Sequence, residues 1–390
     1  MSNDGTGPIL AIETSCDDTC AAVLDAHGRA RSNVISSQGV HDRYGGVVPE
    51  IASRHHLELI NLVVEQALSE AGATLDQIEL VAATQGPGLV GALLVGLSTA
   101  KALAAARELP FAAVDHLQGH VAANFIPTTP RAGDGQGQRK EQAQAPGQGL
   151  EQGHGEEQAP GQGEGPGEGQ GFEPPFVCLI ASGGHTLLTH VTAHDGFRVL
   201  GRTLDDAAGE AFDKGARMLG LGYPGGAALE RLAAGGDPRA FAFPGSRAER
   251  ARGGKGTGRQ AFEQGLDFSF AGLKTALLYR LRDMSAHETR ARAADLAASY
   301  QAAILDSLIE RAGRGLEATG LDRLAVGGGV AANGELRRRL ADLGASVHVP
   351  ARELCTDNAA MIAAAARYGE RLRYPAYLGL DAYATGERPR

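Results

Sequence analysis

Apolar segments of two kinds alternate along the chain and predict an α/β protein. Short runs dominated by apolar residues, such as Ile9–Ile12 and Leu80–Thr84, have the length of buried strands. Longer segments, such as Pro49–Ala71 and Ala293–Thr319, carry apolar residues at helical spacing. Strands and helices that alternate in this way are typical of sheets covered by helices. Three strands at the start, the third beginning at Ala30, predict an antiparallel beginning to an otherwise mixed sheet.

The same pattern predicts the remaining elements. Further strands are expected at 20–24, 176–181, 186–191 and 324–326, and further helices at 89–103, 208–219, 333–343 and 358–371. One segment breaks the pattern, because residues 131–171 hold almost no aliphatic or aromatic side chains. Glycine supplies 13 and glutamine nine of its 41 residues. Such a segment cannot bury enough apolar surface to offset its ordering entropy, so a disordered surface insertion is predicted.

Composition and charge narrow the classes of protein that remain. The chain has 390 residues, a net charge of −9 and no apolar run long enough to span a membrane. Its N-terminus lacks the features of a secretory signal, and its four cysteines are scattered without a C-x-x-C pair. These features predict a cytoplasmic protein in a reducing compartment, with no membrane partner. The acidic balance argues against bulk nucleic-acid binding but leaves room for a local basic patch.

A pair of histidines is the first candidate for metal chemistry. His116 and His120 are four residues apart, so on a helix they share one face and can ligate a single divalent metal. The spacing alone fits two surface histidines equally well. A zinc protease of the H-E-x-x-H type carries glutamate directly after the first histidine, where this chain has Leu117. Asp115 precedes the pair and is expected to orient one of the rings.

Three glycine-rich turns between predicted elements are candidate ligand contacts. They are Thr84–Gly91, Ile180–Thr186 and Val326–Asn333. Exposed backbone N–H groups at such turns, and at the start of a helix that follows them, suit an anion such as phosphate. Glycine also lets a ligand approach the backbone closely. A nucleotide-like ligand is therefore expected, although glycine-rich turns also occur without one.

Acidic side chains accompany these turns. Glu13 ends the first strand and opens a polar turn, which fits either a phosphate and metal site or an ordinary hairpin turn. Asp213 belongs to an acidic segment, 206–214, whose helical spacing puts the charges on one face. Salt bridges on a helix surface are the alternative explanation for that segment. Asp357 stands at a predicted helix N-cap, and capping alone would account for it.

The order of these motifs resembles one protein family. Between residues 8 and 385, outside 131–171 and 245–259, the chain contains in this order E-T-S-C-D-D-T, G-G-V-V-P-E-x-A-S-R-H-H, G-P-G-L-x-x-x-L-x-x-G, H-x-x-x-H, S-G-G-H-T, D-D-A-A-G-E-A-F-D-K, F-S-F-x-G-L-K-T, G-G-G-V-A-A-N and C-T-D-N. Taken together, these nine motifs resemble the TsaD family, the universal tRNA adenosine threonylcarbamoyltransferases. Because the motifs are many and ordered, the resemblance is specific.

The resemblance implies a two-lobed, actin-like α/β fold with mixed sheets flanked by helices and a ligand site between the lobes. Residues 8–130 would form the N-terminal lobe together with a C-terminal helix at 356–385, and residues 172–355 would form the second lobe. The implied reaction moves a threonylcarbamoyl group from threonylcarbamoyl-AMP to N6 of adenosine 37. The implied substrates are tRNAs that read codons beginning with A.

Residue by residue, the resemblance implies a metal site and a substrate site. The metal ligands correspond to His116, His120 and Asp357. Iron(II) is the metal implied by resemblance, while the ligand set itself also suits zinc or another divalent metal. The substrate-binding positions correspond to Ile180, Ala181, Ser182, Gly183, Gly184, Asp213, Gly226 and Asn333. Glu13 is a hypothesised general base, or a residue that positions the adenosine amine.

Partners and rival functions follow from the same comparison. Bacterial members of the family act with the partner proteins TsaB and TsaE and with a TsaC-type adenylate synthase. The basic stretch Arg247–Arg259 is a candidate for tRNA phosphate contacts, and a solvated charged loop explains it equally well. The rival functions are a metalloprotease, a small-molecule kinase and a non-catalytic paralogue. Leu117 counts against the first, the histidine pair against the second, and the three retained ligands against the third.

Overall fold

Two five-stranded mixed sheets form the framework of the protein. The computed structural model describes residues 7–127, 171–222, 224–245 and 265–384. Within these ranges strands alternate with helices, and the helices cover both sheets.

The first sheet comes from the N-terminal third of the chain. Its strands are β1 (Ile9–Glu13), β2 (Asp18–Leu24), β3 (Ala30–Ser37), β4 (Leu80–Gly86) and β5 (Phe111–Asp115). Their order across the sheet is β3-β2-β1-β4-β5. β1 pairs antiparallel with β2 and parallel with β4, so the predicted antiparallel start of a mixed sheet is confirmed. β1 and β4 are buried along their whole length, which their apolar runs dictate.

The second sheet repeats the topology of the first. Its strands are β6 (Phe176–Ala181), β7 (Thr186–Ala193), β8 (Gly196–Arg202), β9 (Arg323–Gly327) and β10 (Ser346–His348). Their order is β10-β9-β6-β7-β8. β6 pairs antiparallel with β7 and parallel with β9, as β1 does with β2 and β4. Each sheet therefore has one central strand that ends in a polar turn.

Helices of very different length surround the sheets. The α-helices of the described residues are α1 (Pro49–Ala71), α2 (Val90–Ala105), α3 (His116–Ala122), α4 (Ala208–Met218), α5 (Gly225–Ala233), α6 (Ala271–Arg282), α7 (Ala286–Ala291), α8 (Ala293–Thr319), α9 (Gly334–Leu340), α10 (Arg352–Cys355) and α11 (Ala359–Tyr368). Short 3-10 helices lie at Gly39–Tyr44, Leu75–Gln77, Ala123–Phe125, Gly329–Ala332, Ala341–Leu343 and Ala376–Gly379. Within the described ranges, none of the helices has the length and hydropathy that crossing a membrane requires.

One hydrophobic cluster joins the two sheets through α3 and α11. It includes Ala11 on β1, Cys178 on β6, Val121 on α3 and Ile362 on α11, all buried. A second cluster packs the other face of the first sheet against α1 and α2, and a third packs the second sheet against α8. α3 and α11 therefore lie at the junction of the sheets, and so do the polar residues at their ends.

The segment predicted as an insertion leaves and re-enters the fold at neighbouring points. Phe172 N donates a hydrogen bond to Asn124 O at 2.8 Å. Residues 128–170, which include all of that segment except Gly171, lie outside the described residues. The boundaries of the two lobes implied by the family resemblance, 8–130 with 356–385 and 172–355, stay predictions.

Agreement between predicted and observed elements follows the strength of the pattern. The helices Pro49–Ala71 and Ala293–Thr319 are confirmed with the same bounds. The strands β5, β8 and β10 were missed. β8 is largely exposed and β10 is a three-residue edge strand, so neither shows a clear apolar run. The helix predicted at 358–371 ends at Tyr368, directly before Gly369.

His348 lies in a ring stack where its charge state affects stability. Its imidazole stacks on Phe172 with ring centroids 5.0 Å apart and 8° between the planes, and the Arg323 guanidinium lies over the Phe172 ring at 4.2 Å. Burial and the positive charge of Arg323 lower the pKa of His348 to about 4 from the ordinary 6.5. Between these pH values the unfolded chain binds the proton and the folded chain does not. The free energy of unfolding is therefore expected to fall as the pH drops from 6.5 to about 4.

The variant His348→Phe keeps the stack and removes the titrating group. Denaturant unfolding at a series of pH values is expected to show a shallower loss of stability on the acid side than in the parent. His287→Phe, at an exposed histidine of α7, is expected to keep the parental slope. Identical slopes for the parent and His348→Phe would contradict the prediction.

Candidate active site

α3 carries both candidate histidines at the junction of the two sheets. β5 ends at Asp115, whose Oδ1 accepts hydrogen bonds from Leu117 N at 2.8 Å and Gln118 N at 3.1 Å, so this carboxylate caps the helix. His116 and His120 are one turn apart and buried, and their ring centroids are 4.8 Å apart. The prediction that they share one helix face is confirmed.

Asp357 approaches the two histidines from the start of α11. Its Oδ1 lies 3.5 Å from His116 Nε2 and 3.3 Å from His120 Nε2. The three potential ligand atoms all lie within 4.8 Å of one another. The Asp357 side chain is 23% exposed while both histidines are buried, so solvent reaches the cluster on the carboxylate side.

The expectation that Asp357 caps the last helix is wrong. The N-cap of α11 is Asn358, whose Oδ1 accepts a hydrogen bond from Met361 N at 3.0 Å. Because the neighbouring amide does the capping, the Asp357 carboxylate is left for the histidines.

The cluster has the donors and the unpaired atoms of a divalent metal site. Both ring nitrogens of His120 are buried and lack a hydrogen-bond partner among the described residues, although Nε2 lies near Asp357. Burying unpaired polar atoms is costly, and a bound metal would satisfy one of them. Two imidazole nitrogens and one carboxylate oxygen suit iron(II), zinc and other divalent metals. The residues therefore fit a metal without selecting iron.

The charges around His116 favour a protonated imidazole. Burial lowers the pKa of an imidazole, yet the carboxylates of Asp357 and Glu13 outweigh burial and raise the pKa of His116 to about 9. Burial raises the pKa of a carboxyl group, but the positive charges of His116 and His120 hold the pKa of Asp357 well below its usual range. Such a site suits a cation, and cation binding is expected to release the His116 proton.

Glu13 contacts His116 on the opposite side of the ring from Asp357. Its Oε2 lies 3.0 Å from His116 Nδ1, whereas Nε2 is the nitrogen near Asp357. The Thr84 hydroxyl donates to the same Oε2 at 2.5 Å, and Ser15 N donates to Oε1. Burial alone would raise the pKa of Glu13, but the charge of His116 and its hydrogen bond hold that pKa below its usual value. A buried carboxylate in this position fixes the orientation of a metal-binding ring.

The expectation that Asp115 orients a histidine ring is wrong. Asp115 caps α3 instead, and Glu13 is the carboxylate at the ring. Ser15 belongs to the polar turn that follows Glu13 in the sequence but had no predicted role of its own, and its hydroxyl lies 3.2 Å from His116 Nδ1. A signal for Thr84 was present, because its hydroxyl comes directly after the apolar residues of β4, at the start of a glycine-rich turn.

The turn between β6 and β7 brings the second sheet to the histidines. Within it, Ser182 N donates to His185 O at 2.8 Å and His185 N donates to the Ser182 hydroxyl at 3.1 Å. The His185 ring centroid is 6.2 Å from that of His116, and burial with the two neighbouring histidines lowers the pKa of His185 to about 4. Gly183 and Gly184 are exposed, and a Cβ on either would meet nothing within 4 Å. The turn therefore borders open space close to the metal-binding residues.

The glycine-rich turn after β9 packs against the end of β6. Gly328 has a φ of +85°, which L side chains rarely adopt, and a Cβ there would collide with Ala181 O. Ile180 and Ala181 are fully buried on β6. The side chains at these two predicted positions therefore belong to the hydrophobic core.

Asp213 and Gly226 lie next to each other on α4 and α5. Asp213 Oδ1 accepts a hydrogen bond from Gly225 N at 2.8 Å. Burial raises the pKa of Asp213, and the hydrogen bonds from the backbone of Gly225 and Gly226 only partly offset this effect. A Cβ on Gly226 would meet nothing within 4 Å, so this pair also borders open space.

Local structure accounts for two other features of the motifs. Lys214 Nζ lies 2.7 Å from both Asp206 Oδ2 and Glu210 Oε1, so salt bridging explains those two acids. Asn333 caps α9 by accepting a hydrogen bond from Leu336 N at 2.9 Å. The eight substrate-binding positions stay predictions, and the basic stretch after Gly245 lies outside the described residues.

Comparison with known proteins decides the family. The family model described as TsaD, tRNA N6-adenosine threonylcarbamoyltransferase, matches residues 29–133 and 162–364. The chain belongs to this family. The resemblance inferred from the ordered motifs is thereby confirmed.

Curated TsaD-family relatives match nearly the whole chain. The tRNA N6-adenosine threonylcarbamoyltransferase of Symbiobacterium thermophilum is 46% identical over 373 residues, which cover 94% of this chain and 93% of that protein. The protein of the same name from Pelobacter propionicus is 44% identical over 387 residues, which cover 98% of each.

A solved structure matches the fold of this TsaD-family chain. Full-length HypF in a phosphate- and nucleotide-bound form aligns with a TM-score of 0.51 and 13% identity, covering 92% of this chain and 54% of that chain. At this identity the likeness concerns the fold alone. With the two mixed sheets flanked by helices, it confirms the predicted actin-like fold class.

Proposed function

We propose that this protein transfers the threonylcarbamoyl group of threonylcarbamoyl-AMP to N6 of adenosine 37 in tRNAs that read codons beginning with A. The observation that carries the proposal is the cluster of His116, His120 and Asp357 beside an open glycine turn, in a chain 46% identical to a relative named for this activity. In this transfer a bond forms from N6 to the carbamoyl carbon. The bond from that carbon to the phosphate oxygen breaks, AMP leaves with the bonding electron pair, and N6 gives up one proton to the solvent.

His116, His120 and Asp357 are proposed to hold one divalent metal, with iron(II) as the expected ion and zinc as the alternative that the donor set also allows. When bound there, such a cation supplies Lewis acidity toward a carbamoyl or phosphate oxygen. The chain itself prepares the site, because it keeps the ligand atoms within 4.8 Å of one another and gives the His120 ring nitrogens no hydrogen-bond partner among the residues that the structure describes.

The glycine-rich turn between β6 and β7 is proposed to hold the adenylate. Gly183 and Gly184 border open space, and backbone N–H groups in such a turn suit phosphate oxygens. Ser182 stabilises the turn through its hydroxyl, and Ile180 and Ala181 contribute backbone atoms from the end of β6. Asp213, Gly226 and Asn333 are proposed to bind other parts of the same ligand.

Glu13 is proposed to act as a positioning residue for His116. Its carboxylate is fully buried, and both oxygens already accept hydrogen bonds within the protein. A general base must reach the proton that it removes, which favours positioning over direct proton transfer from the adenosine amine. In this role Glu13 holds the hydrogen of His116 on Nδ1 and leaves Nε2 for the metal side of the ring.

Partner proteins complete the proposal. tRNA and threonylcarbamoyl-AMP are the proposed substrates, with the adenylate made by a TsaC-type synthase and with TsaB and TsaE as partners. A cytoplasmic location, where such tRNAs are modified, belongs to the same proposal.

A reconstituted reaction tests the proposed function. Purified protein is combined with TsaB, TsaE, a TsaC-type synthase, threonine, bicarbonate, ATP and unmodified tRNA, and the digested nucleosides are analysed by mass spectrometry. We expect threonylcarbamoyladenosine only in reactions that contain this protein. Its absence from the complete mixture, while the synthase is shown to make the adenylate, would overturn the proposal.

A further inference from the structure

The segment 376–384, called here the C-terminal strap, is fastened along the first sheet. Lys101 Nζ on α2 donates to Leu378 O at 3.2 Å and to Leu380 O at 2.8 Å. Gln85 Nε2 donates to Asp381 O at 2.9 Å. These bonds reach the backbone of the strap, so they fix its path whatever side chains it carries.

The strap brings the Tyr383 hydroxyl to the base of α3. This hydroxyl lies 2.6 Å from Asp115 Oδ2 and 2.9 Å from Gly86 O. Tyr383 N donates to Gln85 O at 3.2 Å, and a Cβ on Gly86 would collide with Tyr383 O. Glycine at position 86 therefore permits the close approach. The shorter bond from the hydroxyl goes to the charged carboxylate, which makes it the stronger of the two.

Asp115 uses its two oxygens for two different partners. Oδ2 contacts Tyr383, while Oδ1 accepts the hydrogen bonds from Leu117 N and Gln118 N that cap α3. α3 has only seven residues, and a helix this short depends on its cap and on packing for its position. His116, one of the proposed metal ligands, directly follows Asp115 in the chain. A shift of the Asp115 carboxylate is therefore expected to move His116.

We propose that Tyr383 is a positioning residue for the metal-binding histidines, acting through the Asp115 carboxylate. This inference rests on the metal site of the proposed function and extends that site to the C-terminal strap. The hydroxyl restricts the rotation of Asp115, the carboxylate fixes the first turn of α3, and the turn fixes the distance from His116 to Asp357.

Tyr377 offers a matched comparison within the same strap. It is fully buried in the core of the first sheet, and its hydroxyl has no hydrogen-bond partner among the described residues. Replacing either tyrosine by phenylalanine removes the same atom from a buried ring of the strap. Only Tyr383→Phe removes a bond to the residue that caps α3.

Metal affinity is the readout that separates positioning from general stability. Zinc and cobalt(II) are titrated into the metal-free protein against a chromophoric chelator, below the thermal transition of each variant, and the cobalt spectrum is recorded. Tyr383→Phe is expected to weaken binding by about tenfold and to change the cobalt spectrum. Tyr377→Phe is expected to stay within about twofold of the parent. If Tyr383→Phe does not fold, Asp115→Asn tests the same contact, because it removes the charged acceptor of the Tyr383 hydroxyl while its amide oxygen can still cap α3.

A double-mutant cycle completes the test. Tyr383→Phe and Asp115→Asn act on one bond, so the combined variant is expected to lose no more affinity than the worse single variant. Parental affinity and an unchanged cobalt spectrum in Tyr383→Phe would overturn the inference. If His116, His120 and Asp357 do not bind a metal at all, Asp357→Ala would bind zinc as tightly as the parent. This result distinguishes failure of the proposed metal site from failure of the inference about Tyr383.

Discussion

Asp357→Ala is expected to lose metal binding and threonylcarbamoyl transfer together. The variant leaves two imidazoles without the carboxylate that lies within 3.5 Å of both. Loss of a residue that only supports a ligand typically costs about 10- to 100-fold in metal affinity, and loss of a ligand is expected to cost more than about 100-fold. Metal content measured by mass spectrometry and the yield of modified nucleoside at saturating substrate report the two effects separately.

Asp342→Ala is the control for this experiment. Asp342 is 73% exposed and lies 3.7 Å from Arg338, far along the chain from the histidines. A surface ion pair of this kind contributes little, so the control is expected to retain metal and activity. Full metal occupancy in Asp357→Ala would contradict the assignment of Asp357 as a metal ligand. If that variant also lost activity, Asp357 would be assigned to substrate binding instead.

Glu13→Gln is expected to weaken metal binding by about 10- to 100-fold and to lower transfer at limiting metal. The amide oxygen can still accept a hydrogen bond from His116, but the negative charge that favours an Nδ1–H is gone. Adding metal is therefore expected to restore much of the activity. A general base would behave differently, because its loss lowers kcat and leaves metal affinity unchanged.

Two further variants help to distinguish a positioning role of Glu13 from a general-base role. Thr84→Val removes the hydroxyl that donates to Glu13 at 2.5 Å, and we expect a smaller effect of the same kind. Glu335→Gln alters a glutamate paired with Arg338 on α9 and is expected to match the parent. Parental metal affinity in Glu13→Gln together with a deep loss of kcat would refute the positioning role.

Most parts of the fold that could be read from the sequence are those where burial imposes a pattern, but β5 was missed although four of its five residues are buried. β1 is buried throughout and α8 carries a regular apolar stripe, and both were predicted. β8 and β10 escaped because an exposed strand and a short edge strand do not need apolar runs. β8 is held by its hairpin pairing with β7 and β10 by its parallel pairing with β9, so the position of each depends on the partner strand and not on its own apolar residues.

The candidate site also contains residues that a local sequence pattern predicts and residues that only the folded chain brings together. Helical spacing alone brought His116 and His120 together, because i and i+4 positions share a face. The contact between Glu13 and His116 joins residues 103 positions apart and exists only because β4 places β1 near β5 in one sheet. Choosing between Asp357 and Asn358 as the N-cap required backbone geometry, since either side chain can cap a helix.

The bond from Phe172 N to Asn124 O holds the described residues on either side of segment 128–170 close together. The entropic cost of closing a loop between fixed ends grows slowly with its length, by about 0.6 kcal/mol for each doubling. Stability therefore sets almost no limit on how many residues lie between these ends. A fluorescent domain or an affinity peptide inserted there would leave the hydrogen bonds of α3 and α11 intact, which makes this position a practical attachment point for imaging or purification.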